Sequence, residues 1–430
     1  MKDSGKTTRI AYIIEAGFEY FIALFVSGTM LGYILDTLGL SDAQQGILST
    51  VSTFSCGAQL FALALIGRKR KRIVTVGHLI NQLCFVLIYL LPIIDLSPTM
   101  RTSLLMTFLI IGHLINNAIQ PAKITWLMGA VKNENRGVFT AVKEIISLGG
   151  GILVSLVFGR FADVYRDSNG MPTRPYYVVC AVALVIMMLI HTVTLIISTE
   201  KAENSETRIP VIKTLGRLVS NRDLIKVSLV GILWNVSYAF SGSFFVSYTR
   251  QELEFSFTVL AIVTTAASIC RMAVSPLIGK IADKYSFATS MTLSFGVAAL
   301  GFVAMIFATP QTRWLYILYS CLQAFAMAGI NSGVINLIYD YVNPYDRAVA
   351  LGIKNAIGGI LAFLTALFSG YIMEKLQANG GFNLFGISVY VQQLQAFITL
   401  IGVSVLIVYM RVVIAPLHKY GSGEDLDIDD

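Results

Sequence analysis

Leu277-Ile-Gly-Lys-Ile-Ala-Asp-Lys-Tyr285 closes one long apolar run and is followed at once by another. A partner stretch, Leu65-Ile-Gly-Arg68, does the same 212 positions earlier. In both, an apolar run ends in Ile-Gly-basic and a short charged link leads into the next run. Glycine there permits close backbone approach, and basic residues on a short link mark the cytoplasmic side of a membrane protein. The repetition predicts a duplicated, membrane-embedded chain.

Composition agrees. Of 430 residues, 55% are hydrophobic and 13% charged, against about 25% charged in an ordinary soluble domain. The net charge of +7 lies on short links such as Arg68-Lys-Arg-Lys-Arg72 rather than on one polar face. That pattern fits positive-inside topology and argues against a nucleic-acid partner. Cys56, Cys84, Cys180, Cys270 and Cys321 fall inside apolar runs without paired spacing. They read as small buried hydrophobes, with no disulfide, metal site or cofactor implied.

Runs long enough to cross a hydrocarbon core lie near 10–38, 43–66, 73–94, 102–131, 138–158 and 176–198, and again near 227–249, 256–279, 287–309, 314–338, 349–372 and 389–413. The first reads as a retained helix, because no cleavage-site pattern follows a short apolar core. The expected plan is all-α with twelve transmembrane helices, both termini cytoplasmic. It divides into a six-helix bundle over 1–198, a cytoplasmic linker over 199–226, a second bundle over 227–413 and a tail over 414–430, whose acidic end is assigned no function. Ser4-Gly5-Lys6-Thr7 looks like the end of a phosphate-binding loop, but the first glycine of that motif would precede Met1. No ATPase is implied.

The repeat extends further at an offset of 211: Arg136 on Arg347, Lys143 on Lys354, Gly159 on Gly370. Parallel duplication of six-helix halves is an architecture of alternating-access transporters. At this point the chain resembles the major facilitator superfamily over nearly its whole length. That family's loop signature, Gly, three residues, Asp, basic, is matched by Gly279-Lys-Ile-Ala-Asp283-Lys284, while Lys71 stands where the first half would carry the Asp. The resemblance implies that Gly279, Asp283 and Lys284 form a conformational latch, the carboxylate docking on the helix start near Arg136. A carboxylate facing a helix N-terminus and an Arg is electrostatically reasonable.

Function is sought in the exceptions to apolarity, since ionisable residues inside spans usually face a cavity. At 1.5 Å per residue, Glu19 lies about 15 Å along the helix from Arg9, and Lys123 about 13 Å from Lys132. The two are expected to meet as an ion pair that substrate or a proton can break; a fixed structural salt bridge is the alternative. Glu15 and Glu144 are further candidates for the proton-coupling group. Lys143, Arg271 and Lys354 add embedded positive charge that an anionic group on the substrate would balance, with snorkelling of the lysines to the interface as the plainer reading. Asn116, Asn117, Gln120 and Trp126, with Trp234, Asn235 and Tyr238 and with Gln323, Asn331 and Asn336, supply amides and ring faces suited to a hydroxyl-rich ligand. The same residues also serve as glue between helices. Pro121 is expected to break its helix locally. His78, His113 and His191 have no carboxylate at helical spacing, which disfavours a proton relay through them.

These readings converge on a secondary active transporter, not an enzyme, that moves a small polar solute such as a sugar, glycoside or organic anion by proton-coupled symport. It is expected as a monomer among the lipids of the inner (cytoplasmic) membrane. The alternative is a proton-coupled drug or metabolite efflux antiporter, although Leu148-Gly-Gly-Gly151 lacks the proline of the antiporter signature. A receptor or scaffold would fold without moving solute, and an enzyme would need a nucleophile–base or metal cluster that the sequence does not display.

Overall fold

The computed structural model describes residues 4–59, 70–128, 130–131, 136–168, 170–200, 220–339, 347–378, 382–384 and 387–417. The chain is helical apart from a short antiparallel hairpin, β1 (Phe382–Leu384) with β2 (Ile387–Val389). Contacts divide it into two units. The first joins Met1–Ile209 with Val246–Thr264, and the second joins Pro210–Phe245 with Thr265–Asp430. Membership therefore does not follow chain order, since Val246–Thr264 belongs with the first unit.

Unit 1 is built from α1 (Ser4–Phe25), α2 (Gly28–Thr37), α3 (Asp42–Ser49), α4 (Val51–Phe54), α5 (Arg70–Leu90), α6 (Pro98–Met128), α7 (Arg136–Val164) and α8 (Arg174–Ile197). It also takes in α10 (Phe245–Gln251) from Val246 onward and the first turns of α11 (Phe257–Lys284). The remaining helices are α9 (Arg222–Ala239), α12 (Phe287–Ile306), α13 (Trp314–Tyr339), α14 (Arg347–Ala378) and α15 (Val391–Tyr409).

Among the described residues, eleven helical stretches are long and apolar enough to cross a membrane. Each matches an expected run; the run at 43–66 is described only as far as Gln59, as short helical pieces. The stretch Leu65–Arg68 lies outside the described residues, as do 201–219 of the linker and the tail from 418.

α8 shows how such a helix works. Val182, Ile186, Leu189, Val193 and Ile197 form an exposed apolar stripe, while Tyr177, Ala181, Leu184, Met188, His191 and Leu195 are buried. Exposed isoleucines at helical spacing are tolerable in lipid and unfavourable in water. The buried stripe carries the His191 side chain inward.

Two expectations are corrected. The first run is not one straight helix: α1 ends at Phe25, Ser27 is extended, and α2 starts at Gly28 with φ +52°, which favours a residue without a side chain. Conversely, α6 continues through Pro121. Proline removes one backbone donor, but Ala122, Trp126 and Leu127 are packed with Tyr12, Val74 and Leu195, which holds the last turns in place.

Candidate functional site

Four helices of unit 1 bring polar side chains to one buried point. Glu15 and Glu19 stand one turn apart on α1, and Asn116, Gln120 and Lys123 share one face of α6, so each helix presents a polar stripe. Lys123 is 3% exposed and Glu15 1%, while the Glu19 side chain keeps 24% of its surface. The ammonium of Lys123 lies 3.1 Å from Glu15 Oε1 and also donates to Glu19 Oε2. Gln120 Nε2 donates to Glu19 Oε1 at 2.6 Å and lies 3.4 Å from Asn116 Oδ1.

The pair foreseen between Glu19 and Lys123 is thus present, with Glu15 as a third member. With both carboxylates ionised the cluster carries a net charge of −1, and Glu19 is its least buried member.

His191, fully buried on α8, joins from the far side: its Nε2 lies 3.2 Å from Glu15 Oε1 and its Nδ1 3.0 Å from Gln82 Nε2. With the Gln82 amide donating to Nδ1, the neutral ring carries its proton on Nε2 and donates to Glu15. Spacing along one helix missed this pair because its carboxylate comes from another helix.

The other proposed site residues are placed differently. Lys143 on α7 lies over the ring of Tyr12, 4.9 Å from its centroid. Asn117 turns to Gln59 and Ser52, with Gln59 Nε2 donating to its Oδ1 at 3.1 Å, as glue between helices would. Trp126 donates to the Thr199 carbonyl at 3.2 Å. The side chains of Glu144, Arg136 and Asp283, and with them the expected latch contact, lie outside the described residues; Lys284 lies over the ring of Tyr285.

In unit 2, Trp234 is buried against Tyr238 and Phe295, with ring centroids 5.7 and 5.6 Å away. Lys354 is buried and donates to Asn355 Oδ1 at 3.1 Å. Asn235 approaches Gly358 so closely that a Cβ there would meet its Nδ2 at 3.0 Å. Arg271 is half-buried and Asn331 exposed.

Two further polar centres escaped the sequence reading. Arg250 and Asp36 form a buried ion pair at 2.9 Å, each side chain 4% exposed. Gln45 bridges them, accepting from Arg250 at 2.7 Å and donating to Asp36 at 2.6 Å. Asp163 accepts from the backbone N–H groups of Phe257 (3.2 Å) and Thr258 (2.9 Å) and from the Thr258 hydroxyl, capping the start of α11. A signal for it existed: Gly159-Arg-Phe-Ala-Asp163 repeats the pattern Gly279-Lys-Ile-Ala-Asp283.

A family model described as Major Facilitator Superfamily matches residues 16–252 and 227–416, which is nearly the whole chain in two overlapping copies. The chain belongs to the major facilitator superfamily.

Solved structures agree in fold. A variant of the nucleoside transporter NupG matches with a TM-score of 0.71 at 16% identity, covering 94% of this chain and 99% of that one. A D-xylose–proton symporter gives 0.69 at 14%, covering 94% and 96%. An auto-inhibited POT family peptide transporter gives 0.68 at 12%, covering 94% and 97%. No curated protein matches the chain in sequence. As a member of the major facilitator superfamily the chain is a multi-pass membrane protein, and both the family and these structural relatives are transporters.

Proposed function

We propose that this chain is a proton-coupled symporter that carries a small polar solute across the cytoplasmic membrane, with twelve spans and both termini inside. The observation that carries the reading is Lys123 held between Glu15 and Glu19 in an apolar bundle. Two carboxylates and one ammonium leave one negative charge unmatched, and an unmatched charge in such surroundings is costly. A proton on Glu19, the least buried member, removes that cost.

The coupling follows from competition for Lys123. An acceptor or anionic group on the solute that engages the ammonium withdraws it from Glu19. The released carboxylate is then stabilised by taking up a proton. The groups facing Glu19 are Lys123 and Gln120 directly, with Glu15 across the ammonium and His191 behind Glu15. Glu15 is held by His191 and acts as the fixed partner that keeps Lys123 in place. The presence of a D-xylose–proton symporter and a nucleoside transporter among the structural relatives supports hydroxyl-rich solutes.

The test is thermal unfolding of purified protein against sugars, glycosides, nucleosides, carboxylates and lipophilic cations, followed by uptake into proteoliposomes under an imposed pH gradient. Ligand at a hundredfold excess over its Kd stabilises the folded state by about 2.7 kcal/mol. A hydroxylated or anionic compound should stabilise the protein, lose its effect in Lys123→Ala, and enter vesicles with protons. Stabilisation by lipophilic cations alone, unchanged in Lys123→Ala, would replace symport with efflux.

A further inference from the structure

Beside the Lys123 cluster, unit 1 holds polar atoms that the transport reading leaves unused. His78 on α5 is 0% exposed, yet neither ring nitrogen hydrogen-bonds any described protein atom, and its ring lies edge-on to His191 at 4.7 Å. Glu15 Oε2 and Gln82 Oε1 are buried and without a partner in the same way. Burying such groups unsatisfied is unfavourable, and four of them together call for one explanation. Glu15, His78 and His191 each offer a donor atom within 4.8 Å of the other two.

We propose that Glu15, His78 and His191 form a binding site for one divalent transition-metal ion of the zinc, cobalt, nickel or iron(II) class. Two imidazole nitrogens and one carboxylate oxygen are a borderline ligand set that suits these ions, whereas calcium and magnesium prefer oxygen alone. The unpartnered atoms fall into place around such an ion. Glu15 ligates through Oε2, so Oε1 keeps its contact with Lys123, and Lys123 keeps Glu19. His78 ligates through either ring nitrogen. His191 ligates through Nε2, its proton moving to Nδ1. That new N–H then needs an acceptor, and half a turn of the Gln82 amide presents Oε1 to it. A carbonyl behind a ligating histidine is the usual outer partner of such a site. The fourth position is left to water or solute.

The site goes beyond the symport reading and does not depend on which solute is carried. Purified protein, freed of its affinity tag and of metal with a chelator, is titrated with ZnCl2, CoCl2 and NiCl2, with MgCl2 and CaCl2 as controls. The expected result is one bound ion per chain, a rise in Tm with the first three salts and not the controls, and visible absorption from bound cobalt. His78→Gln should keep the metal-free Tm and bind at least tenfold more weakly. An absence of any transition-metal effect overturns the proposal, as does unchanged binding by His78→Gln, which would place the ion elsewhere. Should that variant not fold, X-ray absorption on the cobalt form of the unmodified protein decides, since the proposal requires two imidazoles and a carboxylate around the ion.

Discussion

Lys123 carries one charge and faces two carboxylates, so its removal leaves Glu15 and Glu19 uncompensated. Truncating one partner of a buried ion pair typically costs about 3–5 kcal/mol. Lys123→Ala is expected to lose stability on that scale in thermal unfolding, and Glu19→Gln less, because Glu19 is less buried. The double variant should recover part of the loss, with a coupling of about 0.5–3 kcal/mol between the two residues; strict additivity would mean that they do not interact. The same argument applies to Arg250 and Asp36. Arg250→Leu strands a buried carboxylate and should cost about 3–5 kcal/mol, whereas Arg250→Leu with Asp36→Asn should come close to the parent. At this scale the sequence was legible where a charge interrupts a long apolar run. Glu19 and Lys123 announce themselves in that way. Glu15 with His191 does not, because its two halves lie 176 residues apart and helical spacing only reports neighbours on one helix. Asn117 shows the converse limit, since its amide would suit a ligand as well as it suits Gln59.

Helices are where the sequence spoke most clearly, because a hydrocarbon core demands length and apolarity together. Their interruptions were less legible. The break before Gly28 depends on a single backbone angle, and the persistence of α6 through Pro121 depends on packing by residues from other helices. Capping is intermediate, since Asp163 stands in a recognisable five-residue pattern but its target, the first turn of α11, is distant in sequence. Asp163→Ala should cost about 0.5–2 kcal/mol and speed amide hydrogen exchange at Thr258 and the residues just after it. Asp163→Asn keeps an acceptor for the same N–H groups and should lose only the charge term at the helix start, about 0.3–1 kcal/mol. Equal effects of the two substitutions would show that Asp163 acts through something other than the cap. Close helix approach yields a further prediction. A Cβ at Gly77 of α5 would meet Ile119 Cγ2 of α6 at 2.7 Å, so Gly77→Val must push the two helices apart or force Ile119 off its rotamer. A loss of about 1–3 kcal/mol in thermal unfolding is expected.

For the whole molecule the question is parity. Eleven described stretches can cross a membrane, and an odd number would place the two termini on opposite sides. The run at 43–66 decides the matter. It carries no charged side chain and ends in Leu65-Ile-Gly-Arg68, followed by basic residues through Arg72. Five consecutive basic residues from Arg68 to Arg72 are costly to translocate and favour the cytoplasmic side. If Ile10–Leu38 begins in the cytoplasm, the link at Gly39 lies outside, and the chain must cross again before Arg68. Twelve spans are then expected, with both ends inside. Reporters separate the cases: one that fluoresces only in the cytoplasm and one that is active only outside, each fused in turn after Gly39, after Arg72 and after Pro416. The expected pattern is outside, inside, inside. Signals on the same side at Gly39 and Arg72 would mean that 43–66 does not cross, and the count of eleven would stand. Outside at both Arg72 and Pro416, with Gly39 inside, would keep twelve spans but invert the molecule.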